Sequence, residues 1–72
     1  MESLKKILTR RQFEAAGLVA KGLRNRDIGS LMGVKAATVK CIIMKIFVKA
    51  GCETRTALAV RYTLEEERGY YR

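Results

Sequence analysis

The 72-residue sequence has no histidine, proline or tryptophan, and it has only two cysteines. Imidazole is the most frequent general base in enzymes and a common zinc ligand, so its absence argues against most acid–base catalysis and against a zinc site. The sequence also has no glycine-rich phosphate loop and no framework of paired carboxylates. We therefore expect no enzyme activity, no metal, no cofactor and no small-molecule substrate.

Membrane insertion and secretion are also poorly supported. No apolar run approaches the roughly 18 residues that a membrane-spanning helix needs. The N-terminal MESLKKILTRRQ alternates charged and apolar residues too closely for a signal peptide. Cys41 and Cys52 are too few for a disulfide scaffold. The sequence thus predicts a cytoplasmic protein with reduced thiols and no membrane partner.

Positive charge is abundant. Lys and Arg number 15 against 7 Asp and Glu, which gives a formal net charge of +8. The segment from Gly29 to Gly51 carries lysines and no acid, whereas Glu65, Glu66 and Glu67 lie together near the C-terminus. A small domain with this pattern has one strongly positive side. Nucleic acid is therefore the favoured partner, ahead of an anionic membrane or an acidic protein.

Local signals predict two helices in the first half of the chain. Thr9 and Gln12 have the spacing of a capping box, and they begin a helix that runs to about Lys21 and stops at Gly22. Asn25, a favoured N-cap, begins a second helix over 25–32 that Gly33 ends. The apolar residues expected to be buried in these helices are Phe13, Ala16, Val19, Ala20, Ile28, Leu31 and Met32.

A third helix, predicted over 36–50, has two unlike faces. Val39 and the isoleucines at 42, 43 and 46 recur at helical spacing and predict a buried face. The opposite face is half apolar and edged with lysines, where a solvated face would be fully polar. Its residues are Ala37, Lys40, Cys41, Met44, Lys45 and Val48.

A fourth helix is predicted over 54–68, with Thr54 as its N-cap. The glutamates at 65–67 lie near its C-terminus, where the helix dipole disfavours negative charge, and we expect the helix to fray near Gly69. We also expect the first six or so residues and the tail Gly69–Arg72 to be mobile, as chain termini often are.

Only Gly33, Val34 and Lys35 separate the second helix from the third, which is typical of helix-turn-helix units. An α-helix fits the major groove of B-DNA, where lysine donates to guanine and apolar groups contact thymine methyls. The lysine-edged face of the third helix therefore suits contact with bases. A second interpretation of Cys41 and Met44 stays open, in which another protein surface covers them.

Residues 8–60 resemble the DNA-binding domain of LuxR-type regulators, the GerE-like helix-turn-helix. The resemblance occurs in order and without gaps. It rests on Leu8-Thr9-x-Arg11-x-x-Glu14, Leu18-Val19-Ala20-x-Gly22-Leu23-x-Asn25-x-x-Ile28, Thr38-Val39-Lys40, Ile46-x-x-Lys49-x-Gly51 and Arg55-Thr56. It implies an all-α fold, a four-helix LuxR-type helix-turn-helix domain with a tri-helical core and a C-terminal dimerisation helix.

The resemblance also implies an organisation by position. Residues 1–72 would form one domain with its core at 8–68, a scaffold helix at 25–32, a recognition helix at 36–50 and a dimerisation helix at 54–68. The protein would bind two half-sites as a homodimer. Lys49 and Arg55 would hold the ends of the third and fourth helices together.

The family's site residues carry over in three groups. The expected base contacts are Lys40, Cys41, Met44 and Ala37. The expected phosphate contacts are Lys35, Thr38, Lys45, Asn25 and Arg11, although helix capping explains Thr38 equally well and Asn25 better. The expected dimer interface is Ala57, Val60, Arg61 and Leu64.

The chain departs from the family pattern at several positions. Lys35 stands where serine is usual, which removes a helix cap worth about 0.5–2 kcal/mol. Gln12 replaces a glutamate, and Ala15 and Ala16 replace bulkier residues, which predicts a looser core. Ile42 replaces a frequent histidine. The outer face of the third helix, which we call the reading face, is largely apolar. Few hydrogen-bonding side chains therefore lie there to discriminate between bases.

Our leading hypothesis is a sequence-specific, double-stranded DNA-binding transcriptional regulator of a bacterium, which acts as a homodimer on nucleoid DNA. The alternative is a protein-interaction module on the same fold that acts on another regulator or on RNA polymerase. Most such regulators carry a receiver or ligand-binding domain upstream, and the start Met-Glu-Ser without a tag favours a stand-alone regulator. Short helices that stop at glycine disfavour a peripheral membrane binder.

Overall fold

The computed structural model describes residues 2–68, and these residues have an all-α fold. In chain order the helices are α1 (Leu4–Ile7), α2 (Arg10–Ala20), α3 (Asn25–Met32), α4 (Ala36–Ala50) and α5 (Arg55–Arg68). The four expected helices correspond to α2 to α5, and α1 is an addition. None of the helices in this range has the length and apolarity to cross a membrane. The tail Gly69–Arg72, expected to be mobile, lies outside the described residues.

The start of α2 is the predicted capping box. Thr9 Oγ1 accepts a hydrogen bond from the Gln12 backbone N–H at 3.1 Å, and Gln12 Oε1 accepts one from the Thr9 N–H at 3.0 Å. This reciprocal pair satisfies backbone donors that have no partner within the helix. At the other end Gly22 has a φ of 81°, a left-handed conformation that glycine adopts without strain. The residues that start and stop α2 are therefore confirmed.

The start of α3 differs from the prediction. Its N-cap residue is Arg24, which makes no side-chain capping bond, and Asn25 is the first helical residue. Asn25 Oδ1 instead accepts a hydrogen bond from Arg55 Nη1 at 2.6 Å. The expected capping role of Asn25 is therefore wrong, because an arginine of α5 uses the oxygen that a cap would need.

The hydrophobic core combines residues from all five helices. The two alanines at 15 and 16 of α2 are fully buried, and their small side chains let other helices approach α2 closely. Leu31 was expected inside but is 65% exposed, because the buried side of α3 runs through Ile28 and Met32. Within residues 2–68, the hydrophobic core residues with no exposed surface are Leu4, Ala15, Ala16, Ile28, Val39, Ile46 and Leu58.

A tight turn joins α3 to α4. Gly33 has a φ of 74°, and the N–H groups of Gly33 and Val34 both donate to the Gly29 carbonyl. Gly29 itself lies against the turn, and a Cβ there would lie 2.5 Å from the Val34 carbonyl oxygen. A side chain at this position would push the turn away from α3. The geometry of the helix-turn-helix unit therefore depends on the glycine at 29.

The N-terminal residues, expected to be mobile, belong to the fold. Leu4 is fully buried, and its backbone N–H donates to Glu65 Oε1 at 2.7 Å. Glu65 is also buried, and its Oε2 accepts a hydrogen bond from Arg61 Nε at 3.0 Å. The expectation of a mobile N-terminus is therefore wrong for Leu4, and the fraying expected near Gly69 lies outside the described residues. The carboxylate that the α5 dipole disfavours is stabilised by α1 and by Arg61.

An aromatic contact joins α2 to α5. The ring centroids of Phe13 and Tyr62 lie 5.2 Å apart with the planes at 42°. Tyr62 lies over Gly17, where a Cβ would come within 2.8 Å of the phenol oxygen. Burial raises the pKa of Tyr62 above its ordinary value of 10.0, and hydrogen bonding to Glu66 and the charge of that carboxylate raise it further. A neutral phenol thus helps to fix α5 on α2.

Gly29→Ala should destabilise the protein by about 1–3 kcal/mol, because the added methyl group overpacks a contact with backbone that cannot move freely. Urea unfolding followed by circular dichroism measures the change. Ser30→Ala is the matched control, since Ser30 is the next residue and is exposed, and it should change the free energy of unfolding by less than about 0.5 kcal/mol. Equal stability of the two variants would contradict the close approach at Gly29.

Glu65→Gln should lower the free energy of unfolding by about 1–3 kcal/mol, because it removes the charge that Arg61 and the Leu4 N–H share. Amide exchange of Leu4 should accelerate at the same time. Glu67→Gln removes the same charge from an exposed residue of α5 and should stay within about 0.5 kcal/mol of the native protein. Native exchange protection of Leu4 in Glu65→Gln would show that α1 does not depend on this carboxylate.

Candidate nucleic-acid interface

The two faces of α4 are separated as the sequence predicts. Val39, Ile43 and Ile46 are buried, and Ile42 is half-buried at the edge of the core. Because successive residues turn by about 100° around a helix, burying this line directs the opposite line away from the core. The outer face of α4 is therefore fixed by the packing of its isoleucines.

The residues expected to contact bases all lie on this outer face. Ala37, Lys40 and Cys41 are exposed on the first half of the helix. Met44 follows with 58% of its surface exposed, and Val48 is 83% exposed one turn later. Within residues 2–68, no part of the chain covers this line. The structure therefore brings the expected base-contacting residues together on one accessible face.

The residues expected to contact phosphates fall into two groups. Lys35, Thr38 and Lys45 are exposed on α4 or at its N-cap position. Asn25 and Arg11 have bonds within the chain instead. Asn25 Oδ1 accepts from Arg55, and Arg11 Nη2 donates to the Met32 carbonyl oxygen at 3.0 Å. Only the first group therefore presents donors that the fold does not itself use.

The electrostatic surroundings of α4 favour an anion. Its lysines at 35, 40, 45 and 49 are all exposed, and no acid occurs between Asp27 and Glu53. The N-cap residue Lys35 makes no side-chain capping bond. The first turn of α4 therefore presents backbone N–H groups and the positive end of the helix dipole beside lysine side chains, which together suit a phosphate.

The residues expected at a dimer interface are divided between two surfaces of α5. Val60 is 52% exposed and Leu64 is 43% exposed, and Ala57 lies exposed on the same side. Arg61 is turned inward. Its Nη1 donates to the Ala50 carbonyl at 2.6 Å and its Nη2 to the Glu2 carbonyl at 2.7 Å, in addition to the bond with Glu65. The apolar residues alone thus form an accessible strip.

Lys49 and Arg55 do not join the ends of α4 and α5, so that expectation is wrong. Lys49 Nζ donates to Gln12 Oε1 at 3.0 Å and so connects α4 to α2. Arg55 Nη2 donates to the Leu23 carbonyl at 2.8 Å, beside its bond to Asn25, and so connects α5 to the turn after α2. Both side chains therefore donate to oxygens of a more distant element.

Several polar contacts near the candidate interface have no local sequence signal. The bond from Arg11 to Met32 spans 21 residues, and the bond from Lys49 to Gln12 spans 37. Gln12 was expected only as part of a capping box, yet its Oε1 accepts from both Thr9 and Lys49.

Within residues 2–68, no group of three or more His, Cys, Asp or Glu side chains could hold a metal ion.

Comparison with known proteins gives one family. Residues 6–62 match the GerE family model, described as bacterial regulatory proteins, luxR family. The matched segment includes α2, α3 and α4 whole and about the first half of α5. No curated protein and no solved structure matches the chain significantly.

Proposed function

This chain belongs to the luxR family of bacterial regulatory proteins, and from that membership we propose that it is a sequence-specific, double-stranded DNA-binding transcriptional regulator. It acts as a homodimer in the bacterial cytoplasm, where its target DNA lies in the nucleoid. Family membership supports DNA binding through a helix-turn-helix unit. The sequence preference, the dimer and the roles of individual residues are the parts that we add.

The observation that carries the proposal is the exposed, lysine-edged outer face of α4. An α-helix with its side chains is about 10–12 Å wide and the major groove of B-DNA is about 12 Å wide, so α4 fits the groove. Lys40 would donate to guanine O6 or N7, while Ala37, Cys41 and Met44 would contact thymine methyl groups or base edges. These four residues would supply the sequence preference.

Phosphate contacts would supply most of the affinity. Lys35, Thr38 and Lys45 are exposed beside the reading face, and the uncapped first turn of α4 adds backbone N–H donors. Neutralising phosphates releases counterions from DNA, so binding would weaken steeply as salt rises. Because few hydrogen-bonding side chains lie on the reading face, we expect the preference between sequences to be moderate.

The homodimer would form through the apolar strip of α5, defined by Ala57, Val60 and Leu64. Two copies related by a two-fold axis can place the same strip against itself, as self-complementary dimer contacts do. Such a dimer presents two α4 helices to two half-sites on the duplex. Arg61 would lie behind this contact and maintain the orientation of α5 through its bonds to Ala50 and Glu2.

One observation favours the alternative function. Val48 is 83% exposed on the last part of α4, and with Cys41 and Met44 it forms an apolar strip. A protein-interaction module that binds another regulator or RNA polymerase through this strip would bury it. Selection of bound sites from random duplex DNA separates the two functions. A recovered motif with two half-sites supports the regulator, and weak binding without a motif supports the interaction module.

Lys40→Ala should relax sequence preference and cost about 1–3 kcal/mol of affinity for the selected site, because it removes a base contact. Lys45→Ala should weaken binding to all duplexes about equally and reduce the salt slope by roughly one unit. Fluorescence anisotropy with the selected and a scrambled duplex over a salt series measures both effects. Lys21→Ala, at the exposed end of α2, is the matched control and should change neither. Native preference in Lys40→Ala would show that the docking face is misassigned.

Val60→Glu should abolish the advantage of a two-half-site duplex over a single half-site, because like charges would meet at the dimer axis. Binding to a single half-site should stay native. The control is Leu31→Glu, which places the same charge at an exposed apolar residue of α3. Gel-shift stoichiometry on the two duplexes measures the difference. A preserved two-site advantage in Val60→Glu would place the dimer contact elsewhere.

A further inference from the structure

The first turn of α2 contacts both helices of the helix-turn-helix unit. On one side Arg11 Nη2 donates to the carbonyl oxygen of Met32 at 3.0 Å. Met32 is the last residue of α3 and immediately precedes the turn that begins at Gly33. Glu14, one turn along α2, accepts from Arg11 Nη1 at 3.4 Å and helps to orient the guanidinium. Arg11 thus ties the start of α2 to the end of α3.

On the other side Gln12 reaches the end of α4. Its Oε1 accepts from the Thr9 N–H and from Lys49 Nζ, each at 3.0 Å. Lys49 is in the last turn of α4, and Gln12 is buried. Because the same oxygen closes the capping box, the amide group cannot rotate away from Lys49 without losing the Thr9 bond. Gln12 therefore connects the last turn of α4 to the capped first turn of α2.

We infer that Arg11 and Gln12 are positioning residues for the reading face of α4, an inference that rests on the proposed function. Arg11 fixes the end of α3 next to the turn that leads into α4, and Gln12 fixes the far end of α4. The hydrogen bond from Arg11 to Met32 lies near the start of α4, and the hydrogen bond from Lys49 to Gln12 lies at its end. Together these two bonds limit both the tilt of α4 and its rotation about its own axis. Neither Arg11 nor Gln12 lies on the reading face of α4.

This role makes a different prediction from a phosphate contact. A phosphate contact contributes to binding at every sequence and to the salt slope. A positioning residue acts on whether Lys40, Cys41 and Met44 meet base edges, so its loss lowers the ratio of specific to non-specific affinity. The Arg11 guanidinium already donates inside the chain. Its loss should therefore leave the number of phosphate contacts unchanged.

Arg11→Met tests the first tie, with Arg10→Met as the matched control that removes the same charge from the adjacent, exposed residue. We expect Arg11→Met to lower the specific-to-non-specific ratio by about two- to tenfold, the equivalent of one hydrogen bond, with an unchanged salt slope. Arg10→Met should keep the native ratio. A slope reduced by about one unit with an unchanged ratio would make Arg11 a phosphate contact and overturn the inference.

Gln12 offers a conservative variant for the second tie. Gln12→Met keeps the side-chain length and removes the acceptor, so it should lower the same ratio. Gln12→Glu keeps an acceptor for both Thr9 and Lys49, so it should restore the ratio. A merely structural role predicts another result, in which Gln12→Met unfolds at lower urea but binds with native preference wherever it is folded. That result would overturn the inference.

A measurement without DNA separates this inference from the proposed function. Residual dipolar couplings of the backbone amides in α2 and α4 report the angle between the two helices. This angle should change in Arg11→Met and Gln12→Met and stay native in Arg10→Met and Gln12→Glu. If the native protein binds no duplex sequence in preference to others, the proposed function fails. The angle between α2 and α4 then remains as the test of whether Arg11 and Gln12 position α4. An unchanged angle in both methionine variants would overturn it.

Discussion

The packing of Val39, Ile43 and Ile46 into the core is the constraint on which the rest of the molecule depends. Burying this line supplies apolar contacts that stabilise the small domain, and it also determines which residues of α4 face outward. If the buried line moved by a single residue, the helix would turn by about 100°, and Lys40, Met44 and Phe47 would take the buried positions. Stability and the proposed reading of DNA therefore come from the same side-chain packing.

A second set of interactions involves arginines that donate to carbonyl oxygens where helices end. Arg55 donates to Leu23 beyond α2, Arg11 to Met32 at the end of α3, and Arg61 to Ala50 at the end of α4. The last carbonyls of a helix lack partners within it, and the helix dipole attracts a cation there. Part of the positive charge is thus used inside the fold. Lys35, Lys40 and Lys45 carry the charge that is available to a phosphate backbone.

Features that depend on residues close together in the sequence could be predicted from the sequence. The capping box at Thr9, the glycine stop at Gly22 and the two faces of α4 depend on residues within a few positions of one another, and all are present. Burial of Leu4, the bond from its N–H to Glu65, and the bond from Arg55 to Asn25 were missed, because their partners lie 61 and 30 residues away. The same limit applies at the candidate site. Exposure of the reading face followed from periodicity, whereas the internal bonds of Arg11 and Asn25 did not.

Lys35 is an unfavourable residue for the N-cap of α4, and the proposed function accounts for it. A lysine at the N-cap gives no side-chain cap, and its charge opposes the positive end of the α4 dipole. In the free protein both effects weaken the first turn of α4, by about 0.5–2 kcal/mol for the missing cap. A phosphate at this end would accept from the first-turn N–H groups and neutralise Lys35, so it would relieve both effects at once. Binding of a phosphate there would therefore also stabilise the first turn of α4.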